Sequence, residues 1–336
     1  MNILFTSVGR RSYLVEYFKE ALAGEGEIHV MNSSDISPAF LVADKATVSP
    51  LIYDEKYVPF LLEYCEKNDI KAIISLFDID LPILAQHKQS FSRIGTTVIV
   101  ADQEMIEKCN DKWKTFLFLK ENGFSVPKTY IDLARVKDDI ENGELKFPLI
   151  IKPRWGMGSI SILEAENEEE LNLFYEKARR SIMDTYLKYE SNEDLGFCVL
   201  IQEKIKGQEH GLDVMNDLNG NYVSTSVKKK YAMRSGETDC AITVHDKTAE
   251  NIGEKLSTLM RHPGNLDVDV FVDGERYYVL EMNARFGGGY PFSHMAGVNL
   301  PKAIIKWLKG EVVEKELLMP KIGVMSQKDI KIVQLK

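Results

Sequence analysis

The chain has 336 residues, of which 44% are apolar and 28% charged, and its formal net charge is −9. That length exceeds one hydrophobic core and suits two or three packed lobes. The acidic balance argues against a broad nucleic-acid or anionic-membrane surface, and no apolar run approaches the ~20 residues of a membrane span.

Met1-Asn2-Ile3-Leu4-Phe5 reads directly into a strand, without the basic and apolar regions of a secretory leader. Cys65, Cys109, Cys198 and Cys240 are scattered and form no C-x-x-C pair. They read as buried thiols in a reducing cytoplasm, and zinc is not expected. The first hundred residues alternate strand and helix. Strands are predicted at Ile3–Ser7, Glu27–Met31, Lys71–Phe77 and Thr96–Val100, and helices at Ser12–Ala23 and Val58–Asn68. Leu14, Val15, Phe18 and Leu22 share one helical face. Such alternation implies βαβ units and a parallel sheet, whose ligands gather at the carboxyl ends of the strands. Gly9, Arg10, Asp35, Asp78 and Asp80 are thereby placed on one rim.

The texture then changes. Asp111–Asn122 is a predicted helix closed by Gly123, Phe147–Lys152 a strand, and Arg154–Ser159 a glycine-containing loop. Ser159–Leu163 is the expected return strand and Glu168–Tyr189 a long charged helix. Strands follow at Cys198–Ile205, Gly211–Asn216, Tyr222–Lys230, Leu266–Val272 and Tyr277–Met282, with hairpin turns at Asn219-Gly220 and Asp273-Gly274, and Pro301–Leu308 is a closing helix.

Four features carry the chemistry. Lys152 ends an apolar strand just before the glycine loop, where it reaches nucleotide phosphates while the amides of Gly156, Gly158 and Ser159 close over them. Lys112 opens a helix, a position that by itself reads as a surface charge. Gln202, Glu203 and Ile205 end a strand whose backbone suits an adenine edge, and Glu209 beyond the hinge suits ribose hydroxyls. Glu281 and Asn283 lie two apart on a strand and share a face. Two oxygens so placed suit Mg²⁺, and Asp269 on the preceding strand is positioned to join them. Arg285 follows on that face, where it stabilises a phosphoryl group in transfer. Gly287-Gly288-Gly289 then allow close backbone approach to a ligand.

In order, these features resemble the ATP-grasp superfamily, in particular its carbamoyl-phosphate-synthase-like branch, and are similar also to the pyrrolysine-biosynthesis ligase. The segments that carry the resemblance are Ile3–Arg11, Asp35-Ile36-Ser37-Pro38, Phe77–Leu81, Asp111-Lys112, Pro148–Pro153 and Glu281–Arg285. Ala284 stands where many relatives carry proline. The resemblance implies an ATP-grasp fold, mixed α/β and α+β, with an N-terminal Rossmann-like domain. The lobes are expected at residues 1–103, 104–200 and 201–336. It implies ATP and Mg²⁺ as cofactors, with Mn²⁺ as an alternative ion. Lys112 and Lys152 hold phosphates, Glu203 and Ile205 adenine, Glu209 ribose, and Asp269, Glu281 and Asn283 the metal, with Arg285 at the transferring group. The implied activity is a carboxylate–amine or carboxylate–thiol ligase that forms an acyl phosphate and releases ADP and phosphate. Its partners are small-molecule carboxylates and amines. Nucleic acid and membrane are not expected, a homodimer is allowed, and the implied location is cytoplasmic.

Secondary features complete the reading. Lys228-Lys229-Lys230 is a basic strand entering a loop with Arg234 and Glu237, which resembles the substrate loop of that branch. Arg234 is expected beside the chemistry, and Glu237 and Gly288 beside the substrate. On the rim, Asp78 and Asp80 suit the ammonium of an amino acid and Arg10 a carboxylate. The competing reading makes both aspartates caps of a helix opening at Leu81-Pro82. His210 and His294 lack metal-ligand spacing. Gly9 with Asp35 downstream imitates a dinucleotide fingerprint, but the full G-x-G-x-x-G is missing. The rival functions are therefore a nicotinamide-dependent oxidoreductase and a non-catalytic nucleotide-binding module.

Overall fold

A computed structural model describes residues 1–156, 161–185, 187–191 and 194–335. Gly158 and Ser159, with the start of the expected return strand, lie outside the described residues. The strands β1 (Asn2–Thr6), β2 (Ile28–Asn32), β3 (Lys45–Val48), β4 (Ile70–Ser75) and β5 (Thr97–Val98) form a parallel sheet in the order β3-β2-β1-β4-β5. Its central strands are continuous apolar runs because both faces are covered. The helix Ser12–Leu22 covers one face with Leu14, Val15, Phe18 and Leu22, as their spacing predicts. Phe18 meets Phe5 of β1 edge-on at 4.9 Å.

A second sheet, antiparallel, has the order β6-β9-β7-β8, from β6 (Thr129–Tyr130), β7 (Leu149–Pro153), β8 (Leu163–Ala165) and β9 (Val199–Glu203). The third has the order β14-β13-β10-β11-β12-β15. Its strands are β10 (Gln208–Asn216), β11 (Tyr222–Arg234), β12 (Glu237–Val244), β13 (Gly264–Asp273), β14 (Arg276–Asn283) and β15 (Met325–Gln327).

The cores divide unevenly. Leu4 and Ile73 of the parallel sheet share one cluster with Leu212, Val268 and Met282 of the six-stranded sheet. The other face, with Ile3 and Phe5, packs with Phe286, Tyr290 and Ile304. Val136, Leu149, Ile151, Leu171, Ile182 and Ile201 around the four-stranded sheet form a cluster of their own.

Several elements differ from the sequence reading. The expected helix 168–189 ends at Met183, and a short helix, Lys188–Ser191, follows. The return strand is Leu163–Ala165. The helices Gln103–Asn110, Leu133–Glu141 and Lys247–Met260 and the strands β3 and β12 were not foreseen. Lys247–Met260 buries Ala249, Gly253 and Ser257 as well as Leu256 and Met260, so its inner face is not an apolar stripe. A Cβ at Gly253 would stand 2.3 Å from Thr225 Oγ1, so the helix lies against β11 through a glycine. β3 is an exposed edge and lacks an inward apolar face.

Candidate active site

The four-stranded and six-stranded sheets face each other across a cavity of about 380 Å³. From one side come Lys112 and Lys152. Lys152, next to last in β7, is 5% exposed, and its ammonium donates to Gln202 Oε1 on β9 at 2.9 Å. Gln202 in turn donates to Thr129 Oγ1 at 2.8 Å, so its side chain is spent on holding the lysine. Burial pushes Lys152 down to about 8, opposed by Glu281 and reinforced by Lys112.

Lys112 is the first residue of the helix Lys112–Glu121, capped by the Asp111 carboxylate. Arg154, just past β7, grips that carboxylate through Nε at 2.8 Å and Nη2 at 2.7 Å, and its carbonyl accepts from the Lys112 amide at 3.1 Å. This brace fixes the two lysines relative to each other. It rests on a bidentate pair, the strong form of an arginine–carboxylate contact. Lys112 Nζ donates to the Gly156 carbonyl and stands 3.7 Å from Glu281 Oε1. Gly156 has φ +118°, which favours glycine, and it lines the cavity.

The floor comes from β13 and β14. Their register sets Asp269 opposite Glu281 and Asp267 opposite Asn283, and all four line the cavity. Burial raises the Glu281 carboxyl, but Lys112, Lys152, Arg285 and Lys230 outweigh it and hold the group below its usual range. Asp267 is pushed up to about 7 by burial and by Asp269, against Arg285. Arg285 donates to Asp78 Oδ2 from Nε at 3.0 Å and Nη2 at 2.8 Å, and its Nη1 lies 3.6 Å from Asp267 Oδ2.

The basic strand resolves by its period of two: Lys228 and Lys230 point inward, Lys229 does not. Lys230 Nζ bridges Asp269 Oδ1 at 2.6 Å and Glu209 Oε1 at 2.7 Å. Lys228 pairs with buried Asp213, which also accepts from Asn265 Nδ2 at 3.1 Å. Both lysines cross β10 at Gly211, where a Cβ would sit 3.2 Å from Lys230 Cε and 3.6 Å from Lys228 Cε. The triple glycine has a related cause. A Cβ at Gly287 would fall 2.1 Å from Asp267 Cγ, at Gly288 3.2 Å from Glu237 Cδ, and at Gly289 3.6 Å from Lys228 Nζ. The glycines leave room for charged side chains as well as for a ligand.

Other expected residues fall elsewhere. Asp80 is fully buried and accepts from Thr6 Oγ1 (2.5 Å), Ser7 Oγ (3.2 Å), Tyr57 Oη (2.8 Å) and Ser75 Oγ (2.8 Å), so its carboxylate is a hub of the parallel sheet and does not face a ligand. Asp78 is engaged with Arg285, not offered to an ammonium. Arg10 is exposed and outside the cavity lining, where its neighbour Arg11 stands. Arg234, its side chain 49% exposed, pairs with Asp239 and does not line the cavity. The Glu203 amide donates to Lys128 O at 2.9 Å, and Glu203, the last residue of β9, and Ile205 beyond it lie outside the cavity lining. Glu237 and Gly288 line it as expected. Arg11, Asp267, Arg154 and Phe271 went unassigned. Phe271 was legible as the next inward position after Asp267 and Asp269, and Arg154 as a charge next to the strand-end lysine.

The donor set fits a small hard cation. Glu281 is ionised, Asn283 and Asp269 share its surroundings, and Mg²⁺ takes only one or two carboxylates when phosphate and water supply the rest. Among the described residues no three His, Cys, Asp or Glu side chains close around one point.

A strand-end lysine and a helix-opening lysine facing an E-x-N-x-R strand across two sheets define a nucleotide-handling class, and the comparisons agree. Residues 3–99 match the PylC-like N-terminal domain, and residues 109–289, over half the chain, match the ATP-grasp domain. The chain belongs to the ATP-grasp family and has its fold, with an N-terminal parallel-sheet domain. The carbamoyl phosphate synthase large chain of Pseudothermotoga lettingae is 22% identical over 309 residues, covering 87% of this chain and 26% of that one. The chain thus spans about a quarter of that relative's length. Among solved structures, the biotin carboxylase domain of Hydrogenobacter thermophilus 2-oxoglutarate carboxylase, in complex with MgADP, ADP and bicarbonate, superposes with TM-score 0.72 at 17% identity over 93% of this chain and 70% of that one. The L-amino acid ligase of Bacillus licheniformis gives 0.68 at 19%, over 95% and 77%. N5-carboxyaminoimidazole synthetase of Staphylococcus aureus with ADP gives 0.68 at 17%, over 93% and 78%. At these identities the likeness to solved structures is one of fold.

Proposed function

We propose that the chain is an ATP- and Mg²⁺-dependent ligase that activates a carboxylate as an acyl phosphate and passes it to an amine, with a thiol as the alternative acceptor. The observation that carries this reading is the convergence of Lys112, Lys152, Glu281, Asn283 and Arg285 on one cavity. The two lysines hold the phosphates, and Phe271 and Leu280 offer apolar surface to the base. Mg²⁺, when bound with ATP, neutralises the phosphate charge beside Glu281 and Asn283. A substrate carboxylate oxygen bonds to the γ-phosphorus as the β–γ bridging bond breaks and ADP leaves, and Arg285 stabilises the group in transfer. The amine then attacks the acyl carbon, loses a proton and displaces phosphate.

The lobes proposed are 1–103, 104–200 and 201–336. The separate core around the four-stranded sheet supports a lid that moves as a unit, with its hinge after β9. Among the described residues no helix is long and apolar enough to cross a membrane. A cytoplasmic enzyme, and a homodimer measurable by gel filtration, belong to the same proposal.

The deciding experiment is an ADP-release screen over amino acids and small carboxylates with mass-spectrometric product analysis. Hydroxylamine in place of the amine should give a hydroxamate. AMP and pyrophosphate as products would overturn the acyl-phosphate reading, and nucleotide binding without turnover on any pair would favour the non-catalytic module.

A further inference from the structure

One end of the cavity is left over once the nucleotide residues are assigned. Arg11, Glu237 and the Gly288-Gly289 backbone line it. Arg11 follows the β1 turn, and its Nη1 donates to the carbonyls of Leu76 at 2.6 Å and Phe286 at 3.3 Å. These two tethers come from the residue after β4 and from the segment past β14 that carries Arg285, so the guanidinium is fixed between two lobes. Its hydrogen bonds go to neutral carbonyls, and among the described residues no carboxylate reaches ion-pair distance from it.

Glu237 faces the same space as the first residue of β12, just after the turn from β11. Lys328, just past β15, holds its Oε2 at 2.9 Å. The Lys328 amide also donates to Asp239 O at 2.8 Å, so the C-terminal segment fixes the strand as well as the carboxylate. Arg11 and Glu237 do not collapse into a salt bridge although each influences the other: burial lifts the Glu237 carboxyl, and Lys328, then Arg11 and Arg10, hold it below its usual range. Tyr13 feels both, its phenol pushed up to about 12 by burial, with Arg11 opposing and Glu237 adding.

Two opposite charges that face one cavity, each tethered by its own framework, leave a gap that neither can close. A small zwitterion closes it, with its carboxylate on the arginine fork and its ammonium on the carboxylate. We propose that Arg11 and Glu237 form a clamp for the carboxylate and ammonium of an amino acid, which makes an amino acid one of the two substrates joined. This rests on the ligase reading for its place in a reaction, but not for the binding itself. The clamp sits next to Arg11's neighbour Arg10, the residue the sequence favoured, and replaces it.

The test is calorimetric binding of the twenty common amino acids, as L and D forms, to the whole protein with and without Mg²⁺ and a non-hydrolysable ATP analogue. For each binder, the matched amine lacking the carboxylate and the matched acid lacking the ammonium are measured. Wild type should bind at least one amino acid, with each analogue weaker by on the order of 10- to 100-fold. Arg11→Met should lose the amino acid by a similar factor yet bind the amine as wild type does. Glu237→Gln should be its mirror, losing the amino acid but binding the acid unchanged. Because Arg11 also ties two lobes, Glu237→Gln decides the matter if Arg11→Met fails to fold. Binding of the analogues as tight as that of the amino acid, indifference to both substitutions, or no amino acid bound under either condition would each overturn the clamp. If the ATP analogue binds and no amino acid does, the clamp falls and the ligase reading stands. If amino acids bind and the analogue does not, the reverse holds.

Discussion

The cleft floor and the rim of the parallel sheet both present acids at strand ends, and the structure treats them oppositely. On the rim, Asp80 has a donor for each direction it points: Thr6, Ser7, Tyr57 and Ser75 surround it, and it is closed to solvent. In the cleft the charges are poorly matched. Lys152, buried, donates its hydrogen bond to a neutral amide oxygen, and Lys230 straddles two acids. A buried charge that is fully satisfied holds a fold together. One left partly satisfied marks the place where a ligand completes it.

The largest expected effect lies on the cleft side. Glu281→Gln should lower kcat on the order of 100-fold or more, because a neutral amide is a poor partner for Mg²⁺ and the flanking lysines lose their counter-charge. ADP release with the best carboxylate from the screen reads this directly. Turnover near wild type would move the metal away from β14.

Next comes Lys152→Ala. A ligand that binds only the folded state raises the melting temperature with its concentration. Mg-ATP should therefore stabilise wild type and barely stabilise the variant, with affinity down about tenfold or more, a fair value for losing a charged hydrogen-bond donor. An undiminished thermal shift would mean that the phosphates lie elsewhere.

The rim should answer in the other currency. Asp80→Asn should cost about 1–3 kcal/mol in chemical denaturation, since an amide cannot accept from the same hydroxyls as a carboxylate does. Mg-ATP binding and KM values should stay unchanged. Intact stability with a raised KM would return Asp80 to the substrate and erase the contrast.

The sequence displayed the cleft better than the rim for a physical reason. Glu281, Asn283 and Arg285 share a face by strand periodicity alone, and Lys152 announces itself by ending an apolar strand. Three-dimensional pairing is another matter. Nothing local says that Asp80 meets Tyr57 and Thr6, which are 23 and 74 residues away in the chain. The Arg10-Arg11 pair shows the same limit: the strand-turn-helix geometry was legible, but which arginine turns inward depends on carbonyls of Leu76 and Phe286. The parallel sheet and the hairpins were read from periodicity. The Lys247–Met260 helix was missed because glycine and serine make its contact with the sheet.

The smallest effect is also the one that tests the mismatch itself. Burial holds the Lys152 ammonium down to about 8, whereas an unfolded lysine titrates near ~10.4. Between those values the unfolded chain binds more protons than the nucleotide-free folded chain, so this group's contribution to stability should rise with pH across that window. Triphosphate reverses the balance, because an anion beside Lys152 favours the charged form. Binding of Mg-ATP near pH 9 should therefore take up a proton, and binding near pH 7, where the lysine is already charged, should not take one up at this site. Calorimetry in buffers of different ionisation heat measures that proton count. Lys152→Met should abolish the uptake at pH 9, while Asp80→Asn should leave it in place. A slope unchanged in Lys152→Met would assign the proton to another group and remove the claim that the cleft keeps its lysine undercompensated until phosphate arrives.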